Sequence, residues 1–179
     1  MDKIIVIDVK ECMACLACEV ECALVHSQSK SLKEAMEEVE PRVNVEAARE
    51  FAVPIICRHC EDAPCIKICP TKALHRKDPN GPVLLEQEFC IGCNYCLIVC
   101  PFGAITPSYD YHTVIKCDLC WERLEPGQEP ACVAGCPMGA IKFVEAEQYV
   151  REKRINSAAE LSSSIQNNDK KEKQKENIQ

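Results

Sequence analysis

Cysteine is the residue type that offers this chain the most chemistry, and its spacing is regular. Sixteen of the 179 residues are cysteine, about 9% of the chain and close to the ~8–10% at which cysteine organises a fold. They divide into four groups of four, each ending in the spacing C-x3-C, and such recurrence indicates internal duplication. The groups are Cys12, Cys15, Cys18 and Cys22; Cys57, Cys60, Cys65 and Cys69; Cys90, Cys93, Cys96 and Cys100; and Cys117, Cys120, Cys132 and Cys136.

Disulfides, zinc and iron–sulfur clusters are the three chemistries that compete for this pattern. Disulfides need an oxidising compartment, and a Cys-x-x-Cys pair seldom closes a structural bridge. Zinc usually takes two separated C-x2-4-C pairs and does not need three thiolates packed into C-x2-C-x2-C. The run C-x2-C-x2-C-x3-C-P is that of bacterial ferredoxins, in which three close cysteines bind one cubane and the fourth binds its neighbour. The spacing therefore favours four [4Fe–4S] clusters over four zinc sites or a disulfide scaffold.

The use of every cysteine also bears on function. Four ligands for each of four clusters leave no iron open to a substrate, whereas catalytic iron–sulfur sites generally keep one iron without a protein thiolate. We therefore expect a protein that transfers electrons and is not an enzyme, with no catalytic residue. A zinc-bound structural or regulatory module is the alternative from another class, and it would lack the brown colour of iron–sulfur clusters.

Composition and charge exclude several further classes. The chain is 47% hydrophobic but only 5% aromatic, which is lean for a core that holds itself together. Its formal net charge of −7 argues against nucleic acid, for which basic surface supplies the affinity. No apolar run approaches the ~18 residues that span a bilayer, and no export signal is visible at the start. We expect a cytoplasmic protein, or one held at the inner face of the membrane through a partner.

Short elements must position the cysteines. Residues 3–9 are predicted to form a strand, residues 72–75 and 83–86 a hairpin, and residues 104–106 and 140–143 further short strands. A capping-box pattern at Ser31 predicts a short helix that ends before Pro41. Alanine instead of proline after Cys22 predicts that a helix continues through Val25. Residues 145–154 show a charged helical pattern, and beyond residue 157 the composition is too polar to bury by itself.

Four segments carry a resemblance to a known family: CRHCEDAPC at 57–65, CIGCNYC at 90–96, CPFGAI at 100–105 and KCDLC at 116–120. Over about residues 3–145 the chain resembles the four-cluster iron–sulfur subunits of the dimethyl-sulfoxide-reductase type. Within that family it resembles the small ferredoxin-like subunits of carbon monoxide dehydrogenase, hydrogenase, formate dehydrogenase and aldehyde oxidoreductase complexes. The spacing is specific for the family and only weakly specific for any one member.

The resemblance implies an α+β fold, a duplicated bacterial-ferredoxin-like fold with short hairpins and short helices around four clusters. Residues 1–156 would form a tandem four-cluster domain. Its outer cluster pair would come from residues 12–22 and 117–136, and its inner pair from residues 57–69 and 90–100. Residues 157–179 would form a polar tail, either solvated or ordered on a partner.

The resemblance also implies how ligands cross between the groups, which spacing alone does not show. Some relatives replace one ligand of the fourth group and carry a three-iron cluster, but Cys120 is present here. We therefore expect [4Fe–4S] clusters throughout. The four implied ligand sets are Cys12, Cys15, Cys18 and Cys136; Cys22, Cys117, Cys120 and Cys132; Cys57, Cys60, Cys65 and Cys100; and Cys69, Cys90, Cys93 and Cys96.

The function implied is that of an electron-transfer subunit. It would relay single electrons through four [4Fe–4S] clusters between a catalytic metalloenzyme and a second electron-transfer protein or subunit. The metalloenzyme would be a carbon monoxide dehydrogenase, a hydrogenase, or a molybdenum or tungsten oxidoreductase of anaerobic metabolism. The alternative is a free-standing soluble polyferredoxin that diffuses between enzymes.

A few other residues could contribute to such a site. His59 lies between two cysteines of the second group, and a surface-loop position without a redox role is the favoured interpretation. Lys116 and Arg58 either neutralise cluster charge or are simply solvated. His26 and His112 are not expected to bind metal, because the cysteines already supply every ligand.

Overall fold

The computed structural model describes residues 3–28, 31–110 and 112–176, with the side chains placed as far as residue 163. The helices are short except for the last one. In the described ranges the strands are β1 Lys3–Ile7, β2 Asn44–Ala48, β3 Phe51–Ile55, β4 Leu74–Arg76, β5 Val83–Leu85, β6 Ile105–Pro107, β7 Val114–Lys116 and β8 Ile141–Glu145. The helices are α1 Ala17–His26, α2 Leu32–Glu37, α3 Pro64–Ile68, α4 Tyr95–Val99, α5 Trp121–Leu124, α6 Ala131–Ala134 and α7 Ala146–Glu176, with a 3-10 turn at Gln87–Phe89.

The described strands pair two by two. Strand β1 pairs with β8, while the other three pairs join consecutive strands: β2 with β3, β4 with β5 and β6 with β7. These three are antiparallel hairpins, with Val45 opposite Pro54, His75 opposite Leu84 and Thr106 opposite Ile115. Small hairpins joined by short helices confirm the predicted α+β fold class.

Most predicted elements are present with shifted ends. The first strand ends at Ile7 instead of residue 9, and the predicted hairpin at 72–86 forms as β4 and β5. Helix α1 continues past Cys22 to His26, as the missing proline predicted. Strands β2 and β3 were not predicted. The turn between them has Arg49 in the left-handed region at φ 55°, a position where glycine or asparagine would have indicated a hairpin turn.

Two apolar cores support these elements, and cysteine belongs to both. The first contains buried Val43, Ile56 and Ile141 together with four buried cysteines. The second contains Leu74, Val83, Ile105 and Val114 among its buried residues, together with two buried cysteines. Since each core is built partly from thiols, the packing alone contributes less burial than a hydrocarbon core of this length would.

The chain divides into two units, and each is described by itself. One runs from Ile5 to Phe143 and carries all sixteen cysteines. The other contains α7, which begins in the predicted helical segment and continues to Glu176; residues 177–179 of the predicted tail lie outside the described residues. On α7, Val150, Ile155 and Leu161 are exposed. Among the described helices, none combines the length and the apolar character needed to cross a bilayer.

Candidate metal centres

Three cavities of similar size are each lined by four cysteines. The space that no protein atom occupies in them, including the solvent at their mouths, is about 320, 350 and 330 Å³. Each combines three cysteines of one group with a single cysteine of another, so that residues far apart in the sequence meet. The first is lined by Cys12, Cys15, Cys18 and Cys136, the second by Cys57, Cys60, Cys65 and Cys100, and the third by Cys69, Cys90, Cys93 and Cys96. These are three of the four sets that the resemblance implied.

The remaining four cysteines, Cys22, Cys117, Cys120 and Cys132, are all buried. Three of them, Cys22, Cys117 and Cys132, pack together in the first apolar core. Burial first, and then the charge of Cys22 and of Cys120, raise the pKa of Cys132. The pKa of Cys22 rises to about 12, mainly by burial and in part through Cys120, and Cys22 in turn raises the pKa of Cys117.

A single helical turn separates the two cysteines of the C-x3-C pair in the first three groups. In α1, Cys18 and Cys22 occupy positions i and i+4 and both are buried. Cys65 lies within α3 and Cys69 caps its end, while Cys96 lies within α4 and Cys100 caps that helix. Residues at i and i+4 are neighbours on a helix surface. Each such pair contributes one thiol to each of two different sets, which brings those two sets close together.

The turn after the last cysteine repeats in three of the four groups. The third residue after the cysteine adopts a left-handed conformation at Lys72, Gly103 and Gly139, with φ of 58°, 61° and 61°. In each case its N–H donates to the carbonyl of that cysteine, over 3.4, 3.4 and 3.2 Å. Nothing lies within 4 Å of a Cβ built on Gly103, so glycine there serves the backbone conformation and not close packing. The repeated turn matches the duplication seen in the cysteine spacing.

The chemistry of the donors fits an iron–sulfur cluster. Burial is the main cause that raises the pKa of Cys18 and of Cys96 to about 11, so these thiols ionise at neutral pH only when a metal replaces the proton. Backbone N–H groups point at several sulfurs. Arg42 donates to Cys22 over 3.2 Å and Leu119 to Cys117 over 3.3 Å. Soft sulfur donors surrounded by N–H groups are the environment that iron–sulfur clusters use.

His59 is buried, so the surface-loop interpretation of this residue was wrong. It is only 5% exposed, because the β4–β5 hairpin covers it and Val83 donates its N–H to Nδ1 over 3.0 Å. That bond places the ring proton of the neutral imidazole on Nε2, and burial, followed by the charge of Lys116, lowers the pKa of His59 to about 3. Among the described residues Nε2 has no hydrogen-bond partner. A buried donor without an acceptor fits a neighbouring cluster sulfide.

Lys116 and Arg58, which the sequence left as either cluster neutralisers or solvated cations, differ in the structure. Lys116 is buried, with 3% of its surface exposed, and its ammonium donates to the carbonyls of Val83 and Cys117. Arg58 is exposed and lies 5.9 Å from the ring centroid of Phe102. Only Lys116 is therefore placed where its charge acts inside the protein.

Arg76 supports the second cysteine group, and no sequence pattern singled it out. One nitrogen of its guanidinium donates to the carbonyl of Gly81 over 2.6 Å. The other donates to three successive carbonyls of the cysteine loop, those of His59 (3.4 Å), Cys60 and Glu61 (3.0 Å). The middle gap of this group has four residues instead of two, and Arg76 binds three carbonyls of this longer loop.

A second polar network borders Cys22 and Cys120. The carboxylate of Asp118 accepts a bond from Arg42 over 2.6 Å and from the N–H of Cys120 over 2.9 Å. His26 contacts both the carbonyl of Cys22 (2.7 Å) and Asp118 (3.3 Å). Burial alone would raise the pKa of Asp118, but the bond from His26 and the charge of Arg42 hold it well below its ordinary value. Ligand atoms of His26 and Asp118 lie within 4.8 Å of the Cys120 sulfur, so these side chains border the fourth set.

Comparison with protein families gives the decisive match. The profile of a family described as "4Fe-4S dicluster domain" matches residues 48–146, more than half of the chain. The chain belongs to this family. The dicluster family thereby confirms both the predicted resemblance and the ferredoxin-like fold, and sixteen cysteines in four groups are consistent with four [4Fe–4S] clusters.

Individual relatives agree with the dicluster assignment. The electron transport protein HydN of Escherichia coli strain K12 is 35% identical over 177 residues, covering 88% of this chain and 98% of HydN. The thiosulfate reductase electron transfer subunit PhsB of Salmonella typhi is 35% identical over 164 residues, covering 87% and 85%. An iron–sulfur protein of Rhodospirillum rubrum is 38% identical over 170 residues, covering 86% and 87%. The chain is thus an electron-transfer iron–sulfur protein and not a catalytic one, as predicted.

Proposed function

We propose that this chain relays single electrons through four [4Fe–4S] clusters, between a catalytic metalloenzyme and a second redox partner. The observation that carries the proposal is the convergence of four cysteines, drawn from two groups, around each of three cavities. A [4Fe–4S] cluster, when bound, takes up and releases one electron at a time. The residues of the chain bind the clusters, keep water from them and set their potentials.

The proposed ligand sets follow the cavities. Cys12, Cys15, Cys18 and Cys136 bind one cluster, Cys57, Cys60, Cys65 and Cys100 a second, and Cys69, Cys90, Cys93 and Cys96 a third. The buried Cys22, Cys117, Cys120 and Cys132 bind the fourth. In this arrangement the C-x3-C pair of each of the first three groups joins two neighbouring clusters through one helical turn, which makes the outer pair and the inner pair.

The order of the four sets follows from the contacts between them. Cys18 and Cys22 connect the first set to the buried one through α1. Cys57 packs against the apolar core that contains Cys117, which supports a position of the buried set beside the Cys57 set. Cys65 and Cys69 then lead through α3 to the last set. The two exposed cysteines of the chain, Cys15 and Cys93, belong to the two terminal sets.

Exposed cysteines at both ends of the series support entry and exit of electrons there. We propose that one terminal set docks against a catalytic metalloenzyme, of the carbon monoxide dehydrogenase, hydrogenase, or molybdenum or tungsten oxidoreductase type. The other terminal set docks against the second electron-transfer protein or subunit. PhsB, named as the electron transfer subunit of a thiosulfate reductase, supports a subunit over a solitary carrier.

The proposed location is the reducing cytoplasm, either free or at the inner face of the membrane through a partner. Sixteen cysteines free of disulfides support it, because thiols are kept reduced there. Sixteen thiolates bound to iron would also make the protein more acidic than its formal net charge of −7, which favours basic partner surfaces.

Anaerobic purification from the native cell tests the proposal. Iron and sulfide are counted per chain, and co-purifying proteins are identified. About sixteen irons together with a stoichiometric metalloenzyme are expected. Sixteen irons on a solitary chain would instead identify a diffusible polyferredoxin, and zinc in place of iron would overturn the electron-transfer function.

A further inference from the structure

Lys116 is a buried cation whose position suggests a role beyond folding. It ends strand β7, directly before Cys117, and its side chain is almost fully buried. Within the described residues its ammonium has two carbonyl acceptors, those of Val83 and Cys117 (2.5 Å), and no ion-paired carboxylate. The positive charge is therefore hydrogen-bonded but not neutralised by the side chains around it.

Burying an ammonium in this way is unfavourable without a nearby negative charge. The effective penalty is several kcal/mol for one ion in a protein interior, and two carbonyl dipoles offset only part of it. Tetrathiolate [4Fe–4S] clusters are anions, so clusters bound on either side of Lys116 would supply the missing compensation. The burial of Lys116 is consistent with a position between two such anions.

Lys116 reaches two different cysteine sets. Its ammonium donates to the carbonyl of Cys117, in the buried set, and to the carbonyl of Val83, a residue that lines the second cavity. A chain of hydrogen bonds makes the second connection direct. The ammonium donates to the carbonyl of Val83, and the N–H of Val83 donates to His59, between Cys57 and Cys60. Lys116 thus lies at the junction between the outer and the inner pair.

We propose that Lys116 is an electrostatic tuning residue that raises the reduction potentials of the two clusters on either side of this junction. These are the cluster of Cys22, Cys117, Cys120 and Cys132 and the cluster of Cys57, Cys60, Cys65 and Cys100. The inference rests on the ligand sets of the proposed function. One electron enters a cluster at each reduction, and the charge of Lys116 does not change. A fixed positive charge favours the more negative, reduced form.

Lys116 bears on the electron-transfer step between the outer and the inner pair, the one step whose two cysteine sets are not joined by a helical turn. Within each pair a C-x3-C segment joins the two sets, but between the pairs the connection runs through Lys116, Val83 and His59. A single cation that acts on both clusters raises their potentials together. The difference between the two potentials, and so the driving force of the step between the pairs, then changes less than either potential does.

The test is a redox titration of the anaerobically purified holoprotein, followed by low-temperature EPR. The main variant is Lys116→Gln, which keeps an N–H donor for the carbonyl of Val83 and removes the charge. Lys116→Arg keeps the charge, and exposed Lys142→Gln is the matched control for a change of net charge. Iron is counted for every variant before the titration.

Lys116→Gln should reduce the ratio of reduced to oxidised cluster at least tenfold for two of the four clusters. For a one-electron couple this is a shift of 59 mV to more negative potential. The other two clusters should keep their potentials, as should all four in Lys116→Arg and Lys142→Gln. Unchanged potentials in Lys116→Gln, or an equal shift of all four clusters, would overturn the inference.

The same measurements separate this inference from the proposed function. A wild-type protein without sixteen irons, or without four one-electron signals, would refute the function. A wild-type protein with both, and with no effect of Lys116→Gln, would refute only the role of Lys116. If Lys116→Gln does not hold its iron, Lys116→Met serves as the second variant without the charge: two clusters shifted to more negative potential support the proposal, and four unchanged potentials contradict it.

Discussion

Substitution of Arg76 tests how the fold stabilises the loop of the second cysteine group. Its guanidinium joins the turn of the β4–β5 hairpin, through Gly81, to the carbonyls of residues 59–61. Arg76→Met removes all four hydrogen bonds and keeps much of the apolar stem. The loop that carries Cys57, Cys60 and Cys65 then loses its connection to the hairpin.

The expected magnitude follows from the four bonds. Hydrogen bonds to a charged group contribute about 1.5–3 kcal/mol each in net terms. The carbonyl of Glu61 is exposed and water can replace Arg76 there, and the 3.4 Å bond to His59 is weak. Only the bonds to Gly81 and Cys60 are counted, so the free energy of unfolding should fall by about 3–6 kcal/mol. With a urea dependence of roughly 2 kcal/mol per molar, the midpoint should fall by about 2 M.

The assay is anaerobic urea titration of the holoprotein, with the visible absorbance of the clusters and the far-UV circular dichroism recorded on the same samples. Arg76→Lys should be intermediate, because one ammonium cannot span Gly81 and the cysteine loop as the two arms of a guanidinium do. Arg58→Gln is the matched control, since Arg58 is an exposed arginine in the same loop. If Arg76→Met and the wild type unfold at the same urea midpoint, Arg76 does not stabilise the cysteine loop and the reasoning is refuted.

Three further predictions concern other parts of the chain. Gly103→Ala should lower the free energy of unfolding by about 1–2 kcal/mol, because φ of 61° strains a residue with a Cβ. Lys72→Gly, at the equivalent turn, should raise the free energy of unfolding for the same reason. Chemical denaturation measures both variants, and a destabilised Lys72→Gly would contradict the argument. Cys136→Ser should change one cluster only, to a three-iron form or to an empty site, so that about one to four of the sixteen irons are lost and three EPR signals stay unchanged, while loss of every cluster would show that the sets do not form separately. Truncation after residue 156 should leave the iron content unchanged, since the residues removed from α7 are exposed as far as residue 163. The same truncation should weaken binding of the partner. Unchanged co-purification would reject the docking role of residues 157–179.

Local spacing made much of the fold predictable. The hairpin of β4 and β5 was predictable because Asp78-Pro79-Asn80-Gly81 is a strong turn signal between two apolar runs, and Gly81 donates to Asp78 over 3.0 Å. The helix after the first group was predictable because Ala23 replaces proline. The β2–β3 hairpin was missed since Arg49-Glu50 carries no turn signal, and β7 was missed because three residues show no periodicity.

The sequence by itself determined the ligand type, the number of ligands and the class of cofactor, because the cysteines within each group lie only a few residues apart and their spacing is a local property. The tertiary structure decided what depends on distant residues. It brings Cys136 to the first cavity, places Val83 over His59 and buries Lys116 against Val83, 33 residues away. Burial and electrostatics depend on the sum of all neighbours in space. A histidine that the sequence indicates as a loop residue is therefore a buried neutral donor, and a lysine that the sequence left open between a cluster neutraliser and a solvated cation is an internal cation.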